Sequence, residues 1–214
     1  MGIYEELVRM HEEEGLSFAD VVVFNVSEFF PVNQVEYYSN AKLIKTNLLD
    51  KHISESKLAY EYLNKIRPLQ TLDEFTEDEF ESMVSTISNL IAIKSAYHVI
   101  SEVHRTKKAA KALKKGDLTL FGLLMNTSHE SLRDNLGIVS PEVDAMVTEA
   151  LKIEGVIGSR MAGCGFGGCT ISLVKDEAID LFVKRVGDIY EDITGIKNQF
   201  YIAEICDCAC KLYN

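Results

Sequence analysis

The sequence predicts a helix-rich α+β fold, and three observations carry that prediction. Apolar residues recur at helical spacing over residues 90–114, a run too long for a strand, and Gly116 stops it. Val21-Val22-Val23-Phe24 is a short β-branched run with the composition of a buried strand. Toward the C-terminal end a strand pattern (169–174), a helical pattern (177–194) and a second strand pattern (200–205) follow one another, with Gly195 separating the last two. The chain has 214 residues, 47% of them hydrophobic and 26% charged, which suffices for one core, or one core and a small appendage, and argues against disorder.

The remaining elements follow in order. Residues 2–14 have helical spacing through Ile3, Leu7 and Met10, ended by Gly15. The strand run is broken by Phe29-Phe30-Pro31, and 32–40 reads as a polar connection. Residues 41–65 are helical in pattern, with an interruption near 52–54, and Arg67-Pro68 and Thr71 close them. Thr76-Glu77-Asp78-Glu79 is a capping box for a helix running to about Ser85. After the long helix, Asp117 caps a helix from Leu118 to about Asn135, stopped by Gly137. Ser140 is a cap followed by Pro141 at the first helical position, opening a helix over 142–152.

A net charge of −11 argues against nucleic acid or an anionic membrane as partner. It does not exclude a phosphorylated ligand, which sees only its own pocket. No apolar run approaches membrane-spanning length, and residues 1–15 are charged and amphipathic rather than a leader. Five cysteines, an odd number with four of them at or after Cys169, do not suit a secreted disulfide framework. The expectation is a soluble, cytoplasmic protein.

One segment stands out chemically. From Gly158 to Gly168 the chain has five glycines in eleven residues: Gly158, Gly163, Gly165, Gly167 and Gly168. Such a composition is read as loop rather than helix or packed strand, and it offers consecutive backbone N–H groups to an anion, phosphate above all. The alternative is a tight turn that merely feeds the strand at 169–174. Upstream, Ser128, Arg133 and Asp134 lie at a polar helix end, either as solvated surface or facing the glycine run.

Other constellations are weaker. The five histidines (His11, His52, His98, His104, His129) do not place two on one helical face as metal ligands, so none is expected to bind metal. Cys206, Cys208 and Cys210 alternate and would share one side of an extended terminus, as thiols for a soft metal or as frayed chain. Ser128 or Cys164 with His129 can be drawn as nucleophile and base, but the sequence supplies no orienting third group and no strand–elbow–helix context. No catalytic residue is assigned.

These stretches together resemble one family. Gly158 through Thr170 resembles the third signature of the sugar-kinase superfamily that includes galactokinase, mevalonate kinase and homoserine kinase, the GHMP kinases. It is most similar to galactokinases. Residues 96–105 look like that family's long helix, and Gly116-Asp117-Leu118 through Met125-Asn126, Ser128-His129 and Ser131-Leu132-Arg133-Asp134 like its next helix. Pro141-Glu142 with Asp144 looks like the start of the one after, and Thr194-Gly195-Ile196-Lys197 with Phe200-Tyr201 like its closing strand. The similarity covers about 60–211.

It implies a GHMP-kinase C-terminal-type domain, with helices packed on a small antiparallel sheet, in an enzyme that phosphorylates the anomeric hydroxyl of galactose with ATP and Mg²⁺. It also implies that Gly163, Gly165, Phe166, Gly167 and Gly168 back the nucleotide phosphates. No segment matches the family's N-terminal ATP loop, galactose-binding cluster or catalytic base, and its Ser-x-Tyr-Asn stretch has only Ser54-Glu55-Ser56-Lys57 nearby. The resemblance thus implies an incomplete C-terminal half, inactive alone. Two alternatives stand beside it: a complementing subunit of a split kinase, whose partner would be an N-terminal kinase domain in trans, and a non-catalytic sugar- or nucleotide-binding module. Ala162 and Cys164 stand where the family has Thr and Gly; Cys206, Cys208 and Cys210 stand where it prefers Ser, Gly and Gly.

Residues 1–31 look like a short piece of glucosamine-6-phosphate deaminase, a helix leading to a strand that ends in Phe24-Asn25, with Ser27 where that family has its proton-transferring Asp. A serine hydroxyl is no base at neutral pH. The expected organisation is a deaminase-like helix–strand graft at 1–31, a connecting helical segment at 32–59 and a galactokinase-like domain at 60–214.

Overall fold

Alternating strand residues with one buried side need a partner layer, and in this chain helices supply it. The computed structural model describes residues 20–26, 54–55, 57–69, 72–162 and 169–203, which fall into two compact units. One comprises the described residues of 1–28, 106–129 and 139–214; the other those of 29–105 and 130–138.

The first unit is built on a four-stranded antiparallel sheet. Its strands are β1 (Asp20–Val26), β2 (Val156–Ala162), β3 (Cys169–Lys175) and β4 (Phe200–Ala203), in the order β2-β3-β1-β4. β1 is an inner strand, pairing Val23 with Ser172 of β3 and with Ile202 of β4. The strand expected from the β-branched run is therefore present. It lies between strands from the far end of the chain, whatever the ancestry of residues 1–31.

One face of this sheet is covered by two helices, α5 (Pro141–Ala150) and α6 (Ile179–Thr194). Val174 packs there with Met146, Ala150, Ile153, Ala178, Phe182, Val186 and Tyr190. Phe200 closes the cluster, its ring edge-on to Phe182 at 5.7 Å between centroids. α5 begins as its sequence requires: Ser140 Oγ accepts the Val143 N–H, and Pro141 takes the first turn.

The helix ends also follow local chemistry. α3 (Leu90–Lys114) has the span its periodicity predicts. α4 (Leu118–Ser131) starts with the Leu120 N–H on Asp117 Oδ1, and the residues that follow it, 132–136, form a π-helical turn that the sequence pattern did not distinguish from α-helix. Gly137, at φ 65°, ends it in the left-handed conformation that glycine adopts without strain.

The second unit is helical. Residues 57–66 form α1, and α2 (Glu77–Met83) carries the expected capping box. Its core gathers Ala59, Leu63, Phe75, Phe80, Ala96 and Ile100, and the Arg67 guanidinium lies 4.3 Å from the centre of the Phe75 ring.

Part of the glycine-rich segment departs from expectation. Its first residues, 158–162, belong to β2 rather than to a loop. The reason lies in packing: a Cβ on Gly158 would stand 2.6 Å from the Gly122 Cα, so this glycine admits a helix to the strand and has no need of an unusual backbone angle.

Candidate functional site

The glycine run itself, with Gly163, Gly165, Phe166, Gly167 and Gly168, lies outside the described residues, as do Cys164, Cys206, Cys208 and Cys210. The two strands that carry the run are described. β2 ends at Ala162 and β3 begins at Cys169, and these two residues are opposite each other in antiparallel register.

β2 is an edge strand, so the backbone groups on its outer side lack a strand partner. α4 supplies the partners. Gly122 lies so close that a Cβ there would sit 1.9 Å from the Ile157 carbonyl oxygen. Asn126 Oδ1 accepts the Ser159 N–H at 2.8 Å, and His129 Nδ1 accepts the Met161 N–H at 3.2 Å. On the helix these residues are four and three apart, hence on one face. On the strand they meet alternate residues, which present their amides to the same edge.

His129 is 3% exposed, and its other nitrogen, Nε2, lies 3.2 Å from Asp144 Oδ1 of α5. An Nδ1 that accepts an amide hydrogen carries no proton of its own. The ring is therefore the neutral Nε2–H tautomer, donating to Asp144. This corrects one expectation. The third group missing from the sequence reading exists, as Asp144. Yet Nδ1 is committed to a backbone amide, so His129 has no nitrogen left to activate Ser128, which is itself buried.

The inner side of β2 is also polar. Ser159 and Ser172, fully buried, share a hydrogen bond of 2.8 Å between hydroxyls across the β2–β3 pair. Arg160 donates from Nε to the Met161 carbonyl, and burial lowers its pKa from the ordinary arginine value. A desolvated guanidinium just before a glycine run is donor chemistry suited to an anion.

Arg133 and Asp134, in the π-helical turn, pair with each other at 2.8 Å in solvent. The Asp134 carbonyl accepts from Lys94 Nζ at 2.9 Å. His98 Nδ1 is 2.9 Å from Ser131 Oγ, and His104 Nε2 is 3.3 Å from the Phe75 carbonyl oxygen, so both histidines serve as structural polar groups. Among the described residues no three His, Cys, Asp or Glu side chains gather as metal ligands, and no helix is long and apolar enough to cross a membrane. The roles of Asn126 and His129 were invisible in sequence because their partners are backbone amides 33 and 32 residues away.

Residues 109–192 match the family described as "GHMP kinases C terminal". Galactokinase of Clostridium beijerinckii is 47% identical over 154 residues, covering 72% of this chain and 40% of that protein. Galactokinase of Lactococcus lactis subsp. cremoris is 34% identical over 193 residues, covering 90% of this chain and 45% of that protein. The crystal structure of Lactococcus lactis galactokinase complexed with galactose superposes with a TM-score of 0.76 at 33% identity, over 87% of this chain and 45% of that one. The fold and the matched stretch define the class, a GHMP kinase C-terminal domain. Within that class the chain belongs to the galactokinase family. It spans less than half the length of these relatives.

Proposed function

We propose that this chain is the C-terminal, phosphate-loop half of an ATP-dependent kinase acting on the anomeric hydroxyl of galactose, cytoplasmic, with ATP and Mg²⁺ as its cofactors. The observation that carries the reading is the anchored β2–β3 pair. Two registered strands, one clamped by α4 along its free edge, bracket the glycine run, and a desolvated Arg160 stands just before it.

In this reading the backbone N–H groups of Gly163, Gly165, Phe166, Gly167 and Gly168 back the nucleotide phosphates, and glycine keeps Cβ atoms out of their way. Arg160 adds positive charge. ATP with Mg²⁺ supplies the phosphoryl group; the protein's contribution is to place it and to stabilise its charge. No described residue is assigned to Mg²⁺, to galactose or to proton transfer. The division into 1–31, 32–59 and 60–214 is likewise proposed as a matter of ancestry, since β1 is shared with the sheet.

The reading is tested by incubating residues 1–214 with ATP, Mg²⁺ and galactose, alone and with an N-terminal galactokinase half added. No galactose 1-phosphate is expected from the chain alone, and product is expected from the pair. Robust product from the purified chain alone would refute the incomplete-site reading. The second reading is a non-catalytic sugar- or nucleotide-binding module. Calorimetric binding of ATP or galactose by the chain, with no turnover when the N-terminal half is supplied, would favour that alternative.

A further inference from the structure

We propose that the outward side of α4, a stripe of Leu120, Leu123, Leu124 and Thr127, is the surface on which an N-terminal galactokinase half docks. This rests on the reading of the chain as one half of a kinase.

α4 has one side committed to β2. Gly122, Asn126 and His129 make that contact, at helical spacings of four and three. At about 100° per residue, the side turned away from β2 carries Leu120, Leu123, Leu124 and Thr127, the i, i+3, i+4, i+7 pattern of a second apolar stripe. Leu120 is 39% exposed and Leu123 59%, while Leu124 and Thr127 are half-buried. The Thr127 hydroxyl donates to the Leu123 carbonyl at 2.8 Å, so it is satisfied within the helix and does not need water.

An isolated exposed leucine needs no explanation, but a leucine stripe on an uncharged helix does. Residues 118–128 contain no charged side chain, in a chain that is 26% charged. The contrast with α6 is direct: its exposed Leu181 has the exposed Lys184 and Arg185 one turn away. A helix that is apolar toward a sheet and apolar away from it has the composition of one buried between two layers. β2 belongs to the first layer. Charged residues return at Asp117 and Glu130, both exposed, so the stripe has the apolar centre and polar ends of an interface.

The second layer is identified by what the relatives have in addition. This chain covers 40% and 45% of the two galactokinases compared above, and each of them carries the remainder in the same polypeptide. A half parted from that remainder leaves uncovered the apolar surface that the two shared. The α4 stripe is such a surface. Pairing of this chain with itself through the same stripe is the competing outcome.

The test uses the 214-residue chain as wild type, Leu123→Glu, Leu123→Cys and, as an off-stripe control, Leu181→Glu, each with a separately expressed N-terminal galactokinase half. Both glutamates replace exposed leucines, so both variants should keep the thermal transition of the wild type. Calorimetric affinity for the half should fall about tenfold or more in Leu123→Glu, which brings a charge into the interface, and stay unchanged in Leu181→Glu. Formation of galactose 1-phosphate at limiting concentrations of the half should fall in step. The thiol introduced by Leu123→Cys should be alkylated freely in the chain alone and be protected once the half is added, as read by peptide mass spectrometry.

Equal affinity of wild type and a folded Leu123→Glu for the half would overturn the docking surface and leave the kinase-half reading standing. So would an introduced thiol that stays reactive in a pair that makes product. Protection of that thiol in the chain alone would mean that this chain or a second copy covers the stripe, and would also refute the proposal. A wild type that neither binds the half nor yields product with it would remove the kinase-half reading and the docking surface together. Should Leu123→Glu fail to fold, the alkylation of Leu123→Cys decides.

Discussion

At Gly122 the smallest side chain decides how a helix meets a sheet. A Cβ at that position would stand 1.9 Å from the Ile157 oxygen and 2.5 Å from its carbonyl carbon, and both are backbone atoms that cannot turn aside. Gly122→Ala should therefore destabilise the protein by about 3 kcal/mol, the upper end for overpacking, as measured by urea denaturation. A cost under about 0.5 kcal/mol, the range of an ordinary surface change, would mean that α4 is not seated on β2 as described. The buried serine pair allows a second residue-scale prediction. Ser172→Ala leaves the Ser159 hydroxyl without its partner and should cost about 1–3 kcal/mol, whereas replacing both serines with alanine should cost less than the sum of the single changes. Strict additivity in that double-mutant cycle would show that the two hydroxyls do not interact.

Among the elements, α2 shows how a cap couples stability to pH. The Glu79 carboxylate accepts the Thr76 N–H at 2.9 Å and the Thr76 hydroxyl at 3.1 Å, while Thr76 Oγ1 accepts the Glu79 N–H. The Thr76 backbone bond, then its hydroxyl, and more weakly the Arg67 charge, hold the Glu79 pKa below the ordinary glutamate value. A carboxylate with a lowered folded-state pKa contributes stability that is present above its unfolded pKa and is lost as pH falls through the folded value. The stability difference between wild type and Glu79→Gln should thus be largest at neutral pH and shrink as pH drops below the usual glutamate range. A difference that is flat, or that grows toward acid pH, would contradict the capping geometry. This element was fully legible beforehand, because a capping box is written within four consecutive residues.

At the scale of the molecule, β1 carries the sheet's continuity. It lies between β3 and β4, so both would lose their shared neighbour without it. A chain lacking residues 1–26 should lose its cooperative thermal transition and much of its strand signal in circular dichroism. If that shortened chain melted like the parent, the first 26 residues would be dispensable, as expected of an appended graft. The sequence comparison bears on the same question, since the Lactococcus lactis relative aligns over 90% of this chain. The likeness of residues 1–31 to a deaminase therefore stands as a statement about local sequence, while the strand within it serves this sheet.

What was legible from sequence was whatever is encoded locally. The span of α3, the capping box of α2, the Ser140-Pro141 start of α5 and the stops at Gly137 and Gly195 depend on side chains within a turn or two of each other. The family, too, was written in contiguous motifs. Tertiary structure alone decided the strand order, which brings Val23 opposite both Ser172 and Ile202, and the seating of α4 along the edge of β2. It turned Gly158 from a loop residue into a packing residue, and His129 from an isolated imidazole into a ring held by Asp144 and the Met161 amide. Pairing between distant segments is selected by which backbone amides remain unpaired once the core has closed, and no window of neighbouring residues contains that information.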